Sequence, residues 1–188
     1  MTDRFKAKLI SGGHKGTEAE FGRNAELWKI HETTISFEGH KVEHSGVVEV
    51  LDDAALALGD VSMEIVFARL GRKFARGKGI RRVIQSMFHI VNRGHHLFAV
   101  GWIQDDNTVK GGTGWGVELA KFFNRGLHVY DQGKDGWFRW TGSEWEADAA
   151  PVIPDTAFSA TGTRTLEESG KAAIRDLFER SFGPPPKA

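Results

Sequence analysis

A chain of 188 residues with an apolar fraction of 40% is long and apolar enough to bury a core as one domain. Its 25 basic and 25 acidic residues cancel, so no long-range field gathers nucleic acid or an anionic membrane surface. The absence of cysteine excludes disulfides, thiolate metal sites and cysteine nucleophiles. No run approaches the roughly 18 apolar residues of a membrane span, and MTDRFKAKLISGG lacks the apolar core of a secretory signal. The expectation is a soluble, cytoplasmic protein that binds its partner locally. Glycine stands out, at 23 residues against the roughly 7% of average composition.

In chain order, Ala7 to Ile10 is a short apolar run ending in Ser11-Gly12-Gly13, and a helical pattern runs from Thr17 to about Trp28. Thr33 to Phe37 is β-branched and apolar, a second strand. Residues 38–75 read as an insertion or irregular excursion, with helical spacing from Val61 to Phe74 at its end. A further helix is predicted from Ile80 to Asn92. His96 to Gly101 has the pattern of a buried strand; Gly111 to Gly116 is a second glycine turn, Val117 to Phe123 a helix and Leu127 to Tyr130 a strand. Trp137 to Trp145 alternates aromatics about Thr141-Gly142-Ser143, as a surface hairpin does. Thr156 to Ala160, the turn Thr161-Gly162-Thr163-Arg164 and a helix from Leu166 to Phe182 follow, ended by Gly183 and three prolines. Strands alternating with helices predict an α/β fold: an open, largely parallel, Rossmann-like sheet with helices on both faces, over residues 1–183 as a single domain with a tail at 184–188.

The three turns, Ser11 to Thr17, Lys110 to Gly116 and Thr161 to Thr165, each follow a predicted strand and precede a predicted helix. That places all three at the carboxyl edge of one sheet, where glycines let the backbone approach a phosphate and helix N-termini present N–H groups. The candidate ligand-binding residues are therefore Gly12, Gly13, Lys15, Gly16 and Thr17 in the first turn; Lys110, Gly111, Gly112, Thr113, Gly114 and Trp115 in the second; and Gly162, Thr163 and Arg164 in the third. Neither a Walker loop nor a GxGxxG fingerprint occurs, which disfavours ordinary nucleotide triphosphate hydrolysis.

Ser11-Gly12-Gly13-x-x-Gly16-Thr17-Glu18 resembles the GGxxGAD-type turn of the SLOG superfamily, which includes the Lonely Guy phosphoribohydrolases, molybdenum-cofactor carriers and DNA-processing Rossmann domains. Lys110 to Glu118 (KGGTGWGVE) resembles the Lonely Guy PGGxGTxxE motif. Thr161 to Arg164 resembles the TGxR turn that usually sits on the first strand and here sits on the last. That order is similar to circularly permuted SLOG proteins of phages and mobile elements, and the resemblance covers most of the chain outside about residues 38–75. It implies a nucleotide-derived, phosphate-bearing small molecule, a signalling nucleotide or one of ADP-ribose type, as partner, sensed or sequestered, and a homodimer.

In the hydrolases that the resemblance implies, a glutamate and an arginine assist cleavage of an N-glycosidic bond. Glu118 fills the glutamate position, either as a catalytic carboxylate or as a first-turn acid favouring its own helix. The arginine position falls on Ser86, with Arg82 one helical turn earlier as the available substitute, and Trp115 stands where the motif has threonine. These departures favour binding over cleavage. The alternatives are a nucleoside monophosphate phosphoribohydrolase using Glu118 and a carrier of a phosphorylated cofactor such as a molybdopterin. No resident cofactor is expected. No metal site is expected either, because neither His40 with His44 nor His95 with His96 has a third ligand at characteristic spacing.

Overall fold

The computed structural model describes residues 2–71 and 77–187. Its first half contains β1 (Lys8–Ser11), α1 (Thr17–Leu27), β2 (His31–Phe37), β3 (Val47–Leu51), α2 (Asp53–Ala57), α3 (Asp60–Leu70) and α4 (Lys78–Arg93). The second half contains β4 (His96–Gly101), α5 (Thr113–Phe122), β5 (Gly126–Asp131), β6 (Gly136–Trp140), β7 (Trp145–Ala147), β8 (Ala157–Gly162) and α6 (Glu168–Phe182). The eight strands among the described residues join one sheet in the order β3-β2-β1-β8-β4-β5-β6-β7. The first six in that order pair in parallel, whereas β6 and β7 close the other end as an antiparallel hairpin. The sheet is α/β and Rossmann-like, as the alternation of patterns predicts.

Alternation along the central strands assigns the faces. On β4, Phe98 and Val100 share a buried cluster with Phe21 and Ala25 of α1, Trp28 at its C-terminal end, and Ile174, Leu177 and Phe178 of α6. Leu97 and Ala99 of the same strand point the other way, into a cluster with Met63 and Val66 of α3, Ile84 and Met87 of α4 and Val117 and Leu119 of α5. A parallel strand covered on both faces is largely apolar, which is why β4 reads as a near-continuous apolar run; β8 instead buries Ser159 and Thr161, both hydrogen-bonded. Trp28, fully buried, donates from Nε1 to the Gly183 carbonyl at 2.8 Å, tying the end of α1 to the end of α6. Buried aromatics of this size each contribute about 2–3 kcal/mol of transfer free energy.

Within the excursion predicted for residues 38–75, residues 47–70 carry regular elements: β3, α2 and α3. β3 adds to β2 in parallel, from Thr33↔Val47 to Phe37↔Leu51, and α2 is capped by Asp52, whose Oδ1 accepts from the Ala55 N–H at 2.7 Å. β3 escapes a pattern reading because it is an edge strand: Val47, Val48 and Val50 are all exposed, so its apolar residues do not mark a buried face. The helix expected from Val61 to Phe74 is α3; positions 72–74 of that span lie outside the described residues. Gly71 ends α3 in the left-handed conformation (φ 59°) that glycine adopts without strain. Among the described residues, no helix is long and apolar enough to cross a membrane.

Candidate functional site

Strands β1, β8 and β4 lie side by side and parallel, so their carboxyl ends open together. From β1 the chain winds outward to β2 and β3, and from β4 it winds the opposite way to β5, leaving β8 at the reversal. Ligands of open α/β sheets bind in the crevice at such a switch point. A cavity of about 490 Å³ occupies this crevice, floored by the second and third glycine turns and walled by Ile80, Val83, Ile84 and Met87 of α4.

The second turn faces the cavity with Lys110, Gly111, Gly112, Thr113 and Trp115. A Cβ added at Gly111 or Gly112 would meet nothing within 4 Å, so the backbone there borders open space rather than packed protein. Gly112 is the N-cap of α5, a position whose following N–H groups and helix dipole favour an anion. Trp115 is buried, meets Phe67 edge-on with ring centroids 4.2 Å apart, and still lines the cavity. Lys110 reaches over the Trp102 ring, 5.8 Å from its centroid.

The third turn contributes Gly162, Thr163 and Arg164. Glycine is required at 162 because a Cβ would sit 2.5 Å from Thr17 Oγ1 and 2.6 Å from the Val100 carbonyl oxygen. Arg164 is exposed and, among the described residues, makes no hydrogen bond or ion pair. A guanidinium at the mouth of a cleft with its donors unspent is suited to phosphate or carboxylate.

The first turn departs from expectation. Three of its N–H groups are taken by the chain itself: Gly12 and His14 both donate to Glu18 Oε2 at 3.1 Å, and Gly13 donates to Ser11 Oγ at 3.2 Å. A carboxylate thus occupies the concavity in which a phosphate was expected. Glu18 Oε1 accepts from Thr161 Oγ1 at 2.9 Å, so one buried side chain joins the ends of β1 and β8. Burial pushes the Glu18 carboxyl above the usual carboxylate range, against the pull of its donors and of Arg164. Gly13 fits because a Cβ would lie 2.1 Å from the His44 carbonyl, and Gly16 and Thr17 pack on the third turn, with the Thr17 N–H and Oγ1 both donating to the Thr163 carbonyl. Gly12, Gly13, Gly16 and Thr17 therefore shape the site without lining it; Gly114 is likewise buried in the first turn of α5. Lys15 borders a neighbouring cavity instead.

The two hydrolase candidates are not brought into the cleft. Glu118 is buried and ion-paired with Lys121 at 2.8 Å, and Lys121 in turn lies over Trp140, 3.9 Å from the ring centroid. Arg82 is held by Asp53 at 2.6 Å and donates to the Glu38 carbonyl. Ser86, at the motif's arginine position, is buried with its hydroxyl on the Val83 carbonyl. The aromatic hairpin is present as β6 and β7, but it lies at the far sheet edge and gives no residue to the cleft.

Residue reading missed His14, Glu18 and the apolar wall of α4. Glu18 was legible as the acid closing the first motif, but only the fold reveals that it turns back onto the N–H groups ahead of it. The histidine pairings also differ from sequence adjacency: His14 Nε2 meets His40 Nε2 at 2.8 Å, and His96 Nε2 meets His128 Nδ1 at 2.7 Å. Burial, and secondarily the Arg164 charge, lowers His14; burial and then His14 hold His40 at about 4. Among the described residues, no group of three or more histidines and carboxylates is placed to hold a metal ion.

No protein-family model matches the chain, and no curated protein matches it. A solved structure similar to it is the crystal structure of a "Putative molybdenum carrier protein" from Syntrophus aciditrophicus SB, with 14% identity and a TM-score of 0.58, covering 97% of this chain and 98% of that one. At that identity the likeness speaks for the fold alone, and over nearly the full length of both chains it is the same Rossmann-like α/β fold.

Proposed function

We propose that this chain is a non-catalytic binding protein of the SLOG type that holds a phosphate-bearing small molecule in the cleft between β8, β4 and α4, to sense, sequester or carry it. The observation that carries the reading is the convergence of the open backbone at Gly111 and Gly112 with the unpaired Arg164 on one cavity at the sheet's switch point. In this reading the phosphate lies on the N-terminus of α5 with Arg164 and Thr113 beside it, and a ring system lies against Trp115 and α4. The ligand is nucleotide-derived in the leading form of the proposal. A phosphorylated cofactor as cargo is the second form, supported by the name of the similar carrier protein. The permuted motif order belongs to the proposal too, supported by β8 being last in the chain and central in the sheet. So does a homodimer, for which the exposed valines of the β3 edge offer a surface. Cleavage of the ligand is not favoured, because Glu118 and Arg82 are engaged elsewhere.

Gly112→Val tests the site. Its backbone (φ −64°, ψ −32°) suits any residue and its Cβ direction is open, so the variant should fold with an unchanged melting temperature. Calorimetric titration with nucleoside mono- and diphosphates should show its affinity reduced at least tenfold. Arg164→Ala should weaken the same titration by about 1.5–3 kcal/mol, the range for a charge-assisted bond. Unchanged affinity in both variants of a binding-competent protein would remove the cleft from the site.

A further inference from the structure

A second cavity, of about 500 Å³, adjoins the cleft. His14, Ile80, Val83 and Arg164 are walls of both, so one guanidinium and one imidazole stand where the two compartments meet. The second compartment has its own equipment. Phe37 and His40 stack with ring centroids 4.5 Å apart and planes 10° from parallel, giving it a flat wall. Lys15 and Lys41 are exposed along it and, like Arg164, make no ion pair among the described residues. None of its lining residues is a carboxylate. In a chain whose charges sum to zero, three unpaired cations and no acid around one compartment form a local anion site.

Resting on the phosphate-binding reading above, we propose that the two compartments are one bipartite site for an elongated ligand in which two ring systems are joined through a diphosphate bridge. The cleft takes one ring against Trp115, the second compartment takes the other against the Phe37 and His40 stack, and the bridge lies at Arg164 and His14. Each compartment alone falls within the roughly 300–1,000 Å³ of small-molecule pockets. A single-ring monophosphate leaves one of them, with Lys15 and Lys41, unused.

The two halves report separately, since Trp102 and Trp115 border only the first compartment and His40 only the second. The full chain is titrated with AMP, inorganic pyrophosphate and the diphosphate-bridged dinucleotides NAD and diadenosine diphosphate, following tryptophan fluorescence and the imidazole NMR signals. A dinucleotide is expected to bind at least tenfold more tightly than AMP and to shift both the tryptophan and the His40 signals. Lys41→Ala, an exposed change, should remove at least fivefold of dinucleotide affinity and leave AMP binding unchanged. AMP binding that equals dinucleotide binding, with His40 unmoved and Lys41→Ala silent, overturns the bipartite site and leaves the proposed function standing. No response to any of the four compounds overturns the bipartite site together with the nucleotide-derived form of the proposed function.

Discussion

Glu118 and Glu18 show how two glutamates of opposite sequence standing exchange roles once their surroundings are counted. Glu118 completes a hydrolase-like motif, yet its carboxylate is spent on Lys121, with both side chains 8% exposed. Glu18 looks like a first-turn acid, yet it closes the first glycine turn and holds it to Thr161. Removing one member of a buried ion pair leaves the other charge uncompensated, at a cost of about 3–5 kcal/mol. Glu118→Ala should accordingly lower stability by that amount in urea denaturation while leaving ligand affinity within twofold. The opposite pattern, full stability with lost binding, would restore Glu118 to the site. The place of the second and third turns at the sheet edge was legible because each lies between a strand end and a helix start. The fate of the first turn was not legible, because a carboxylate six residues after Gly12 folds back only when α1 starts where Gly16 lets it.

Among elements, the pairing of β4 with β5 carries an acid-sensitive seam. His96 on β4 and His128 on β5 meet ring to ring, and His128 Nε2 is bonded to Asp148 Oδ2 at 2.8 Å. Burial, with His128 as a secondary influence, depresses His96 to about 3; burial also lowers His128, outweighing Asp148. A histidine whose folded pKa lies below its unfolded value of about 6.5 binds fewer protons in the folded state, so its contribution to stability is full above about 6.5 and is lost as pH falls toward 3. Glu18 acts in the opposite sense, its raised pKa making the fold less stable as pH rises from about 4.5. The urea midpoint should therefore fall between pH 6.5 and 4, and fall less in His96→Gln. An identical fall in the variant would take the seam out of the account. β4 was legible as a buried-strand pattern and β5 as a short strand, whereas β3 and α2 were not: outward-facing valines on an edge strand mark no buried face, and the Asp52 cap is a single-residue signal.

At the scale of the molecule, the strand order decides where binding takes place. Winding outward from β1 in one direction and from β4 in the other, with β8 between, brings turns 50 and more residues apart in sequence to one edge. The shared carboxyl edge was legible from the alternation of strands and helices and from the three motifs, whereas the strand order was not. Nor was the cavity's far wall, since Ile80, Val83, Ile84 and Met87 read only as one face of a helix, and which elements that face covers depends on the tertiary path. This crevice is where the phosphate-bearing molecule is proposed to sit. Native mass spectrometry of the freshly purified chain tests it most directly: a retained, non-covalent adduct containing phosphorus is expected on the wild type and should be absent from Gly112→Val. A retained adduct without phosphorus, or one equally present in that variant, would contradict it.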